Sequence, residues 1–198
     1  MTFVPPSVSN DGRAVDAARP ITVLGVGNPI MGDDGTGLTL LAAIESARPD
    51  TRIEYVDGGT GGMELLPVVQ EAARLLVLDA VAGAVPGAVA CLDGDQLPRM
   101  LSSKLSPHQV GLLDVFAAAR MLGREPGQVA VVGITPESVE LRLGLSDVVA
   151  ASVDEAAARA CEVLDRWLAE AEAVTMGDDP HTPAHGGDPG TRVEATDG

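Results

Sequence analysis

Aromatic residues are almost missing from this chain: two Phe, one Tyr and one Trp make up 2% of its 198 residues. A core without large rings has to be filled by Val, Leu, Ile and Ala, which suits a parallel sheet buried on both faces by helices. Basic residues are scarce as well. Thirteen Lys and Arg stand against 29 Asp and Glu, a formal charge of -16. That balance lacks the clustered cations that neutralise phosphates and argues against a nucleic-acid partner. Only two cysteines occur, Cys91 and Cys161. Each lies in an apolar pattern rather than at paired ligand spacing, so small buried hydrophobes in a reducing compartment are expected. The start of the chain has no long apolar region after a basic segment, and no later run approaches the roughly 18 apolar residues that cross a bilayer. A soluble, cytoplasmic protein without a membrane partner is the expectation.

What is present is alternation. Short apolar runs at 21–27, 52–58, 75–81, 87–93 and 128–134 read as five strands. Helical patterns fit between and after them, at Thr36 to Ala47, Met63 to Arg74, Pro107 to Leu122 and Val153 to about Ala173. Strands alternating with helices predict an α/β fold, a doubly wound and mostly parallel five-stranded sheet with helices on both faces. One domain over 20–176 is expected, between a disordered tail at 1–19 and a disordered, acidic, Gly/Pro-rich tail at 177–198.

In such a sheet, ligands bind beyond the carboxyl ends of the strands, and the polar anomalies of the sequence fall there. "GNPIMGDDGTG" carries Asn28, Asp33 and Asp34 after the first run, "DGGTGG" begins at Asp57 after the second, Asp79 ends the third, and His108 follows the fourth. A dinucleotide loop fits poorly, because Ile30 occupies the third glycine position and Pro29 removes a backbone donor. Asp33 and Asp34 also read as helix caps, and "DGGTGG" as a plain turn or as backbone open to an extended peptide. Ser106, Pro107 and Gln109 read as a capping box that places His108 at the second helical residue. The positive helix end there disfavours imidazolium and leaves a neutral ring able to ligate metal or accept a proton. His181 and His185 stand at a metal-compatible spacing, but in the tail. No G-x-S-x-G or H-E-x-x-H occurs, which argues against a nucleophilic serine and a His-rich zinc site.

Taken in order, "VLGVGNPIMGDDGTG", "DGGTGGMELL", "LLVLDAV", "SPHQVGLLDVF" and "VVGITPESVELRLGLS" resemble the nickel-iron hydrogenase maturation endopeptidases, over about Ile21 to Leu168. The resemblance implies a protease that removes a C-terminal peptide from a hydrogenase large-subunit precursor once nickel has been inserted. It implies Asp34, Asp79 and His108 as metal contacts and catalytic residues, with Asp34 where the family often has glutamate. Asp57, Gly58, Gly59 and Thr60, with Asn28, become candidate substrate contacts. Nickel carried by the substrate is the expected recognition element, and no permanently bound metal is expected. The alternative from the same residues is a non-cleaving, nickel-dependent chaperone or checkpoint protein that binds the large subunit.

Overall fold

Two mostly apolar runs make the centre of the sheet. β1 (Ile21–Val26) and β3 (Arg74–Ala80) are buried at every residue, as strands covered on both faces must be. β2 (Ile53–Gly59) pairs parallel to β1, β3 pairs parallel to β1, β5 (Gln128–Ile134) pairs parallel to β3, and β4 (Val89–Asp93) closes the far edge antiparallel to β5. The order is β2-β1-β3-β5-β4. The computed structural model describes residues 20–93 and 107–177, the second stretch with side chains from 111 to 173. Of the tails expected at 1–19 and 177–198, all but Gly177, which ends the last helix, lies outside the described residues, with His181 and His185, and so does Ser106, expected as a helix cap.

Helices cover both faces. α1 (Thr36–Ala47) and the long C-terminal helix α5 (Val153–Gly177) lie on one face. There Leu40, Ile44, Ala160, Leu164 and Trp167 join Val23, Leu76, Leu78 and Val132 in one cluster. α2 (Leu66–Glu71) and α3 (Pro107–Met121) lie on the other, where Val69, Leu112, Val115 and Ala119 meet Leu24, Leu75 and Val77. Consecutive residues of β1 and β3 therefore feed opposite clusters, the period of two that an extended strand imposes. A single-turn helix, α4 (Asp147–Ala150), precedes α5 and is capped by Ser146, whose hydroxyl accepts from Val149 N–H.

Two expectations need correction. The helix expected over Met63 to Arg74 is a 3₁₀ turn at Met63–Leu65 followed by α2 ending at Glu71. Arg74 belongs to the sheet instead, because its buried guanidinium donates to Gln128 Oε1 at 2.8 Å and to the Trp167 carbonyl at 2.9 Å. Cys91 is exposed and Cys161 half-buried; β4 is an edge strand, where a side chain is covered on fewer sides. The fourth strand runs antiparallel, the one exception among the described pairs of the mostly parallel sheet. Only 81–88 separate β3 from β4, too few residues for a helical crossover. The chain therefore turns over the end of β5, and β4 ends at the amino edge of the sheet, with Asp93 opposite Ala130.

Backbone packs closely where β1, β3 and α1 meet. A Cβ built on Gly37 would stand 2.1 Å from the Val26 carbonyl oxygen and 2.3 Å from that of Leu78. Only glycine lets the start of α1 rest directly on the ends of both central strands. Gly37→Ala is expected to cost about 2–3 kcal/mol by overpacking, read as a lowered thermal midpoint; an unchanged midpoint would show that α1 shifts freely.

Candidate active site

Chain order reverses between β1 and β3: from β1 the chain crosses to β2 on one side and then returns to β3 on the other. A crevice opens at such a switch point, beyond the carboxyl ends of the two strands. Asp34 follows β1 and Asp79 lies near the end of β3. They are 4% and 3% exposed, so both carboxylates are almost out of water at neighbouring strand ends.

Asp34 sits in a 3₁₀ turn, Gly32–Gly35, that leads straight into α1. Its Oδ2 accepts from Asn28 N–H at 3.1 Å, and its carbonyl accepts from the same N–H at 3.2 Å. Asn28 thus closes the loop around Asp34 through its backbone, while its side-chain oxygen accepts from Ile30 N–H at 3.2 Å. Gly27 makes room for this closure, with φ at 136° and its Cβ position 1.9 Å from the Asp34 carbonyl oxygen. Asp79 Oδ1 accepts from Ala80 N–H at 2.7 Å. In the alternation of β3, Asp79 falls in step with Leu75 and Val77, whose cluster includes Leu112 and Val115 of α3.

The helix-cap readings of Asp33 and Asp34 are overturned. α1 has Gly35 at its cap position, without a side-chain hydrogen bond. Asp33 does something the sequence did not suggest: fully buried, its carboxylate receives the loop after β5. Ser146 N–H donates to Oδ1 at 2.6 Å, and Ser146 Oγ, Glu137 N–H and Ser138 N–H donate to Oδ2 at 2.9, 2.9 and 3.1 Å. Arg142 Nη2 lies 3.7 Å from Oδ1. Burial raises the pKa of this carboxyl, but the bonds from Ser146, Ser138 and Glu137 outweigh it and bring the value below the ordinary 3.8. Asp33 is an anchor between two loops. The only sequence signal for its partners was the irregular "TPESVELRLGLS", which carries no periodicity to interpret.

The Asp57 segment ends β2 at the same edge. Asp57 pairs with Gly25 and is exposed, its Oδ1 accepting from Gly59 N–H at 2.9 Å. Gly59, at φ 48°, accepts from Gly27 N–H through its carbonyl at 2.7 Å. Gly58 and Gly59 are half-buried and Thr60 is exposed. His108 is the second residue of α3, and its side chain lies outside the described residues. The helix start can still be located: a Cβ on Gly111, three residues later, would stand 3.5 Å from Gly62 Cα, beside the glycine segment that follows β2. Because β4 is antiparallel, it is this helix start, reached after 94–106, and not a strand end that carries His108 to the carboxyl edge. Among the described residues, no group of three or more His, Cys, Asp or Glu side chains gathers as a metal site, and no helix is long and apolar enough to cross a membrane.

A family model described as HycI, hydrogenase maturation protease, matches residues 35–163. The chain is 39% identical over 140 residues to hydrogenase 2 maturation protease of Escherichia coli, covering 69% of this chain and 85% of that protein. It is 34% identical over 195 residues to hydrogenase expression/formation protein HupD of Bradyrhizobium diazoefficiens, covering 89% and 95%. The solved structure of the hydrogenase maturating endopeptidase HybD from Escherichia coli superimposes with a TM-score of 0.69 at 35% identity, covering 74% of this chain and 93% of that one.

Proposed function

The chain belongs to the hydrogenase maturation protease family, and from that premise we propose that it removes the C-terminal extension of a nickel-iron hydrogenase large-subunit precursor after nickel insertion. As a member of a family of proteases it acts on a hydrogenase precursor by cleavage, which displaces the non-cleaving chaperone reading. The observation that carries the proposal is the pair of buried carboxylates, Asp34 and Asp79, at the switch point.

Carboxylates withdrawn from water favour a cation beside them. Two oxygen donors with the imidazole of His108 make a mixed set suited to a borderline divalent ion, with positions left for other ligands. The donor set lacks the thiolates or several imidazoles of a tightly held structural zinc. Nickel therefore enters as part of the substrate, and Asp34, Asp79 and His108 recognise it there. Asp57, Gly58, Gly59 and Thr60, with Asn28, line the approach on the β2 side, where glycines let an extended peptide come close to the backbone. Near the scissile bond, Asp34 or Asp79 acts as general base toward water, or the substrate's ion polarises the carbonyl.

Purified protein incubated with precursor, with or without nickel, tests the reading. A shortened large subunit is expected only from nickel-loaded precursor, and elemental analysis of the purified protein is expected to find well under one metal per chain. Full activity on nickel-free precursor, with one retained metal per chain, would make the ion the enzyme's own.

A further inference from the structure

The loop after β5 holds apolar side chains in water beside the turn that bears Asp34. Leu141 and Leu143 are each 81% exposed, Ile30 51% and Val139 49%. Arg142 N–H donates to the Ile30 carbonyl at 3.1 Å, and the Arg142 carbonyl accepts from Gly32 N–H at 2.8 Å, pairing Arg142 with Met31 in a parallel bridge. Successive side chains of an extended segment point to opposite sides. Arg142 turns toward Asp33, so Leu141 and Leu143 are directed outward. Past Gly144, at φ 80°, Leu145 packs back against the core. The exposure of the two leucines is imposed by bonds that tie this loop to Asp33 and to the Ile30–Gly32 backbone, and a clustered apolar patch held in water marks a contact surface.

We infer that Ile30, Val139, Leu141 and Leu143 form the docking surface for the precursor subunit and receive an apolar segment of it flanked by basic residues, an inference that rests on the cleavage reading above. The charge of the rim selects this occupant. Glu137, Glu140 and Asp147 are exposed around the patch, and Arg142 is the single cation between 136 and 147. A second copy of this chain, at -16, would set acid against acid across the contact, whereas a segment basic around an apolar centre is complementary. The patch adjoins the candidate site, since Ile30 N–H donates to the Asn28 side chain and Asn28 N–H donates to Asp34 Oδ2. A segment seated here is held next to the carboxylates.

The test uses the full chain and nickel-loaded precursor. Leu141→Ser with Leu143→Ser changes two exposed positions and is expected to leave the thermal midpoint unchanged, to raise KM about tenfold or more, and to leave kcat within about twofold. Glu137→Lys with Glu140→Lys is expected to raise KM and flatten its dependence on salt. A wild-type KM in the leucine variant overturns the docking surface while leaving cleavage intact. A wild-type protein that binds precursor without cutting it, and loses binding in the leucine variant, overturns the cleavage reading and keeps the surface. A wild-type dimer in sedimentation that the leucine variant dissolves, with KM unchanged, assigns the patch to a second copy and overturns the inference. An unaltered salt dependence in the lysine variant overturns the basic flank.

Discussion

Asp79→Asn is expected to slow cleavage of nickel-loaded precursor by about 10²- to 10⁴-fold, the range that a group acting directly at the reacting centre contributes, while the thermal midpoint stays close to wild type. Asparagine keeps an oxygen to accept the Ala80 N–H that Asp79 accepts at 2.7 Å, and it is nearly isosteric in a position 3% exposed. What the change removes is the negative charge. A carboxylate kept from water at a strand end has little structural reason to be ionisable, since a neutral polar group fills the same space with less desolvation. Gel assays of processing, paired with thermal melts, separate the cases. Wild-type rates in Asp79→Asn would remove Asp79 from the site, and a collapsed midpoint would make it structural.

Asp33→Ala is expected to act through stability, and strongly. It leaves Glu137 N–H, Ser138 N–H, Ser146 N–H and Ser146 Oγ without the acceptor that they share, and removal of a buried charged partner costs about 3–5 kcal/mol. The loss should depend on pH. With its pKa held below 3.8 in the folded chain, Asp33 is protonated first in the unfolded chain as pH falls. Its contribution is complete above about pH 5 and fades as pH drops below about 4. Urea unfolding of wild type and variant should therefore show a wide gap at neutral pH that narrows in acid. A gap of equal width at both would mean that the charge of Asp33 is not what holds the loop. Such a loss would also release Arg142 and the two leucines it directs outward, so precursor binding should weaken in the same variant.

Apolar patterning and the placement of polar residues establish the class of fold and the edge where the chemistry sits. The segments "VLGV" within β1 and "LLVL" within β3 are apolar without a gap, and strands buried on both faces by helices absorb such runs. The polar residues that interrupt this pattern, Asp34, Asp57 and Asp79, fall at strand ends because a carboxylate within the sheet would be desolvated without compensation. Local patterning could not supply direction or long-range partnership. Whether β4 runs with or against β5 depends on how the 81–88 connection crosses the end of the sheet, and nothing in an apolar run encodes its polarity. The neighbours of Arg74 in sequence point to a helix, but its bonds to Gln128 and Trp167, 54 and 93 residues away, put it in the sheet. Asp33 and Asp34 are adjacent and chemically identical, and only the tertiary structure separates them. Asp33 is turned to donors more than 100 residues distant, whose N–H groups stabilise its charge, while Asp34 is held by Asn28 six residues away at the mouth of the switch point. Sequence names the residue types that chemistry requires, whereas the hydrogen bonds that assign each carboxylate its task exist only once distant segments have packed together.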